Sequence, residues 1–284
     1  MAFNTGEREL VMASPSQAGD TANDVTLTIT ASEPGILDLD RLVLQVSIDE
    51  AEIQGTDFAD QGFCTGLLVQ NSLQLIRGRN TPEAPTQVWS GTRGISGAMP
   101  LGRVTLETGD TIAAGYHVDG TDIDYTATLG APFLPRNSRG MSLPVPNWQP
   151  VYAASPATAI AAAGNGTITI TFDEDGIMDL TSLQMGGLNA TANIGNGTYK
   201  DATGLLQVTS LALPSSNEII VGQNTPVAPG TMWGANRSYT WAAFGSYAVS
   251  AGSTLVATVS NTGVDVVNAS LGLRFFPQGG PALR

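Results

Sequence analysis

Threonine alternates with apolar residues in "VTLTITA", residues 25–31, and again in "TITITF", residues 167–172. A period of two predicts strands that bury one face and leave the other in water. The run "ILDLDRLVLQVSI", 36–48, predicts a longer and more apolar strand. Further strand-like runs lie at 67–76, 86–90, 103–107, 110–118 and 123–130, with Gly, Pro or Asp between them. No window of twelve residues carries a 3.6-residue period, so helices should be short or absent. About seven or eight strands in roughly 125 residues predict a β-sandwich or barrel.

The pattern is written twice. "ASP" at 13–15 returns at 154–156, and "TLTITASEPGILDLDRL", 26–42, returns as "TITITFDEDGIMDLTSL", 167–183, both at an offset of 141. "TGLLVQNSLQL", 65–75, matches "TGLLQVTSLAL", 203–213, at 138, which predicts a loss of three loop residues in the second copy. "GRNTPEAPTQVWSGTR", 78–93, returns as "GQNTPVAPGTMWGANR", 222–237, at 144, and "FLP" at 133–135 returns as "FFP" at 275–277. Collinear blocks whose offsets drift by a few residues indicate a duplicated domain with altered loops. The predicted organisation is an arm, 1–9; a first β-barrel, 10–135; a Pro-rich linker, 136–150; a second barrel, 151–277; and a tail, 278–284. The fold class is therefore all-β, with two tandem duplicated jelly-roll-like barrels or sandwiches.

In the repeated loop, Asn-Thr-Pro predicts an extended or turn entry, and the second proline withholds a sheet donor. Trp89 and Trp233 are expected as structural anchors that plug each loop onto its own barrel. A Pro-x-x-Pro ligand for an SH3-type partner is a weaker reading of the same residues.

Composition narrows the chemistry. Charged residues make up only 13 % of the chain, the net charge is −13, and Lys200 is the single lysine. A phosphate backbone needs clustered Lys and Arg, and the close pairs are Arg77 with Arg79 and Arg136 with Arg139, so the sequence argues against a nucleic-acid partner. A surface poor in charge suits extensive cover by partner subunits. The start, "MAFNTGEREL", shows no signal peptide, and no apolar run approaches a membrane span.

One cysteine, Cys64, excludes an intramolecular disulfide, and its setting "QGFCTGLLVQ" predicts a buried structural thiol at a strand entry. His117, beside Asp119, is the one histidine and has no counterpart in the second copy, so neither a triad nor an imidazole metal site can be assembled. No nucleophile elbow, P-loop or dinucleotide fingerprint occurs, and no enzyme activity is expected. The remaining candidates are carboxylates at matched turns. Glu33 with Asp38, and Glu174 with Asp179, are candidate ligands for Ca²⁺, which takes six to eight oxygens. Solvated hairpin acids are the simpler reading, and no other cofactor is expected.

The paired "TLTITASEPGILDL" and "TITITFDEDGIMDL", the paired Asn-Thr-Pro loops and the paired "FLP" and "FFP" ends cover nearly the whole chain. With them the chain resembles a double jelly-roll major capsid protein of tailless icosahedral viruses, which often enclose an internal membrane. The resemblance implies homotrimers whose six similar barrels form a pseudo-hexagonal capsomer. It also implies lateral contacts with other capsomers and capsid proteins, an underlying membrane as a candidate partner, and a place in the virion shell after assembly in the host cytoplasm. The alternative is a tandem β-sandwich adhesin or carbohydrate-binding module, which predicts a shallow aromatic-lined groove and secretion.

Overall fold

The computed structural model describes residues 10–20, 24–48, 62–70, 72–85, 101–117, 124–136, 150–189, 205–214, 217–220, 222–229, 232–233 and 245–278. In the first half the strands are β1 (Leu10–Ala13), β2 (Gln17–Asp20), β3 (Val25–Thr30), β4 (Gly35–Asp38), β5 (Val43–Ile48), β6 (Phe63–Val69), β7 (Leu73–Gln74), β8 (Ile76–Arg77), β9 (Ala84–Pro85), β10 (Arg103–Leu106), β11 (Thr111–His117) and β12 (Asp124–Pro135). One sheet runs β1-β12-β4-β10, with β2 and β5 continuing along β12, and the other runs β3-β11-β6-β7, with β9 also on β6. The chain therefore crosses between sheets as it advances, and its last strand lies between the first and the β4–β5 segment. That order is a jelly roll.

The second half repeats it with β13 (Val151–Ala154), β14 (Thr158–Ile160), β15 (Asn165–Thr171), β16 (Gly176–Asn189), β17 (Leu206–Ala212), β18 (Ala228–Pro229), β19 (Ser246–Val249), β20 (Thr254–Asn261) and β21 (Val267–Pro277). Here β13 and β14 lie along β21, which pairs with β16 and then β19, while β15-β20-β17-β18 form the facing sheet. Both barrels bury the apolar half of each alternating strand: Leu27 and Ile29 on β3, Ile168 and Ile170 on β15. A short 3-10 turn, Leu39–Arg41, interrupts the first β4–β5 segment. The strands forecast at 103–107, 110–118 and 123–130 are present within a few residues; the run forecast at 67–76 is broken after Val69 by a turn and continues as the short β7 and β8, and the run at 86–90 lies outside the described residues.

The repeated sequence motifs are repeated solutions to the same local problem. Pro15 and Pro156 end the first strand of each barrel, and the serine before each proline supplies an acceptor. Ser14 Oγ accepts from Leu129 N at 3.0 Å, and Ser155 Oγ accepts from Leu271 N at 2.9 Å. Gly35 and Gly176 lie under the rings of Phe133 and Phe275, where a Cβ would overlap the ring. The matched glycine turns and the matched "FLP" and "FFP" ends are thus two sides of one contact.

One block is realigned by the structure. Gln74 Oε1 accepts from Leu67 N at 2.8 Å and Ile76 N at 3.3 Å. Glu218 Oε1 accepts from Leu211 N at 2.6 Å and Ile220 N at 3.0 Å. Strand β6 therefore corresponds to β17 at an offset of 144, not 138. The second copy has gained three residues before this strand rather than lost them. The "TGLL" match is coincidental, because two Leu-rich strands align in several registers and only the hydrogen bonds distinguish them.

Cys64 lies at the start of β6, wholly buried, with its thiol donating to Gly66 O at 3.2 Å. Desolvation pushes its pKa up to about 12, against a lowering by that backbone hydrogen bond. Alkylation by iodoacetamide at neutral pH is expected to be slow in the folded chain and fast in urea. Because the unfolded thiol ionises near pH 9 and the folded one near 12, stability should fall across that window, at roughly 1.4 kcal/mol per pH unit. Denaturation curves at stepped alkaline pH check this against a Cys64→Ala variant, in which the slope should flatten.

Candidate functional site

The two barrels meet through the repeated loop, whose first copy reaches the second barrel through β8 and returns to its own through β9. Strand β8 joins β13 of the second barrel in parallel, with Ile76 beside Tyr152 and Arg77 beside Ala153. Tyr152 N donates to Leu75 O at 2.7 Å, and Glu83 N donates to Ser155 O at 2.9 Å. Arg77 pairs with Glu174, and Arg79 Nε reaches Asp173 Oδ1 at 2.9 Å. The second of these pairs is about half exposed on both sides, so it contributes orientation more than energy. Pro85 lies against Gly186 on β16, where any larger side chain would collide with the proline ring.

The joint solves an edge problem. A first strand at the rim of a sheet offers unpaired backbone groups to any passing chain. Strand β8 covers that rim, and all four residues of β13 are buried. Gly78 permits the approach: its φ is 150°, and a Cβ there would overlap the Ala154 carbonyl oxygen. Gly78→Val is therefore expected to separate the joint while leaving each barrel folded. Calorimetry should then resolve two thermal transitions where the unaltered chain gives one; a single unshifted transition would show the approach to be dispensable.

The loop tip also departs from expectation. Thr81, although it precedes a proline, is not extended: Asn80 and Thr81 have φ of 58° and 55°, and Asn224 and Thr225 have 57° and 58°. In both copies the threonine hydroxyl donates to the preceding asparagine carbonyl at 2.6 Å. Consecutive left-handed residues reverse the chain tightly, which an extended pair could not do.

Trp233 is buried in the core of the second barrel, and its carbonyl accepts from Met185 N at 2.9 Å. Trp89 lies outside the described residues, as does Asp119. His117 Nδ1 instead lies 2.8 Å from Asp24 Oδ1 at the end of β11.

The four calcium candidates are not brought together. Asp38 is buried against Arg41 at 3.0 Å and Arg103 at 3.6 Å, and it caps the amide of Asp40. Asp179 is buried against Arg274, whose Nη2 and Nε donate at 2.5 and 3.1 Å, and it also accepts from the amide and hydroxyl of Thr181. Glu174 faces Arg77, and Glu33 is half-buried on the matching turn of the first barrel. Guanidinium groups thus stand where the calcium reading would put a cation. Among the described residues no group of three or more His, Cys, Asp or Glu side chains could hold a metal ion. Arg41 is a local partner three residues on, but the sequence could not foresee Arg103 and Arg274, which come from 65 and 95 residues away.

Glu218 emerges as a positioning residue that the sequence reading missed. Burial raises its pKa, but donors from Ser210, Leu211 and Ile220 outweigh that and hold the carboxyl below its usual range. Its counterpart Gln74 makes the same two backbone contacts uncharged, so Glu218→Gln should fold with little loss. A folded pKa depressed in this way adds stability above the ordinary carboxylate range that is lost as the pH falls through it. The acid limb of the stability curve should therefore shrink in the glutamine variant, as acid titration of the melting temperature would show.

No helix among the described residues is long and apolar enough to cross a membrane. No protein-family model matches the sequence, and no curated protein matches it. Among solved structures, the chain is similar to the major capsid protein P2 from bacteriophage PM2, at 9 % identity and a TM-score of 0.38, over 97 % of this chain and 100 % of that one. It is also similar to a chain from the triple jelly-roll fold and turret assembly of an archaeal virus, at 10 % identity and a TM-score of 0.17, over 96 % of this chain and 60 % of that one. A BuGH86 variant in complex with neoagarooctaose is similar at 11 % identity and a TM-score of 0.18, over 93 % of this chain and 33 % of that one.

Proposed function

We propose that this chain is a structural shell protein, the major capsid protein of an icosahedral virion, and that it acts as a homotrimer of pseudo-hexagonal outline. The observation that carries the reading is the joint: two jelly rolls of one strand order are fastened head to tail, loop of the first onto rim of the second. Such a chain is two similar wedges in a row. Three chains then supply six wedges, and a six-sided block tiles a flat facet with a single gene product. Closed symmetric association is the usual outcome for chains of this kind. A permanent interface should bury more than about 2,000 Å². The low charge of the chain favours that, since close contact then desolvates few ions.

The arms at 1–9 and 278–284 and the linker at 136–150 are the candidate ties to neighbouring capsomers, to other capsid proteins or to an underlying membrane. The function needs no catalytic group, and none is assigned. Electron micrographs of the purified protein, with light scattering on dissociated material, test the reading. Shells or hexagonal plates with a stable species of three chain masses are expected. A monodisperse single chain that never associates at high concentration would overturn it and favour a tandem binding module.

A further inference from the structure

The joint uses a rim and a loop that each barrel has, and among the described residues one of each is left uncovered. Strand β13 is buried throughout under β8, whereas its counterpart β1 is half-buried and exposed in turn, with Val11 76 % exposed. On the other side, Ile76, Ala84 and Pro85 are buried in the joint. Their counterparts Ile220 and Ala228 are only half-buried, Pro229 is exposed, and Val227 between them is 48 % exposed.

The uncovered loop already has the docked shape. Its tip repeats the two left-handed residues and the threonine hydrogen bond of the covered one. Gly222 sits over Pro226 as Gly78 sits over Pro82. Glu218 holds its root as Gln74 holds the other. A loop that keeps this form without a dock loses little further entropy on binding.

We infer that Ile220 and the loop tip 222–228 of one copy dock on β1 of a second copy, as Ile76 and 78–84 dock on β13 within the chain; Pro229 would meet Gln45 where Pro85 meets Gly186, so that end of the loop is left out of the dock. The inference rests on the shell reading above and names its interface. The register follows from the internal joint, which places Ile220 beside Val11. The contact is heterologous, so it must either close a ring or propagate as a filament. Alternation with a near-equivalent internal joint favours closure.

Charge sorts the two loops between the two docks. Arg77 and Arg79 meet Glu174 and Asp173, whereas Gln223 of the second loop would meet Ser32 at the matching turn. Placing the arginine-free second loop on the Asp173–Glu174 turn would leave both carboxylates without a cation, which disfavours the wrong pairing.

Cysteines in the full chain test this. Facing positions on adjacent strands fall within the Cα separation a disulfide tolerates, and native Cys64 is buried and does not compete. Val11→Cys and Ile220→Cys chains, mixed and oxidised, should give a reducible two-chain band, and each variant alone should stay a single chain. The double variant should close into a covalent species of three chains. Trimers by light scattering without these bonds would overturn the interface and leave the shell reading standing. Absence of both bonds and association would remove the two together. Independently, Val11→Asp, at the exposed counterpart of the fully buried Tyr152, should abolish association without shifting the melting temperature of the dissociated chain; assembly that survives it would overturn the docking.

Discussion

Replacing Trp233 with alanine is expected to cost about 3–5 kcal/mol, among the largest effects of any single truncation in this chain. The indole is 3 % exposed and belongs to the continuous core. Its backbone is tied to β16 through the Met185 amide, so the surrounding strands cannot collapse far into the space it leaves. Partial relaxation is what lowers such costs elsewhere, and the tie restricts it here. Trp233→Phe should recover roughly half by refilling part of the volume. Urea denaturation of the dissociated chain measures this, and a loss under about 1 kcal/mol would mean that the side chain is a lid rather than core.

Asp179→Ala is expected to cost about 2–4 kcal/mol, because it strands a guanidinium rather than merely losing a contact. Asp179 accepts four hydrogen bonds, from Arg274 Nε and Nη2 and from the amide and hydroxyl of Thr181. Arg274 is about a quarter exposed and lies 5.1 Å from the Phe276 ring centroid. Water can therefore reach part of the freed charge, which keeps the estimate below the full cost of a buried unpaired ion. Asp38→Ala should cost clearly less. Its partners Arg41 and Arg103 are 53 % and 39 % exposed and can turn to solvent. Paired denaturation curves of the two variants check the ranking, and equal losses would refute the argument from exposure. If calcium rather than arginine held these acids, chelator would lower the melting temperature of the unaltered protein; no change is expected.

The candidate site was half legible. The repeated loop stood out because Asn-Thr-Pro, Ala-Pro and Trp recur at one spacing, and Trp233 is core as an aromatic in a turn-rich sheet protein should be. Its destination was not legible. Nothing in "GRNTPEAP" says that the loop reaches the next barrel before β9 returns to its own, since that depends on which rim lies within reach. The surroundings of the acidic turns were illegible for a related reason. Carboxylate spacing is visible along the chain, but Arg103 and Arg274 reach Asp38 and Asp179 from other strands.

The sequence by itself determined the all-β class, the two-fold repetition and the buried face of each strand, because alternation, turn residues and motif recurrence are local properties. Tertiary structure decided the pairing of β8 with β13, the true register of β6 against β17, and which of two nearly identical loops is covered. Those choices turn on hydrogen bonds and ion pairs between residues tens of positions apart. A strand's own pattern fixes which face it buries, but its neighbour is whichever edge the rest of the fold brings alongside.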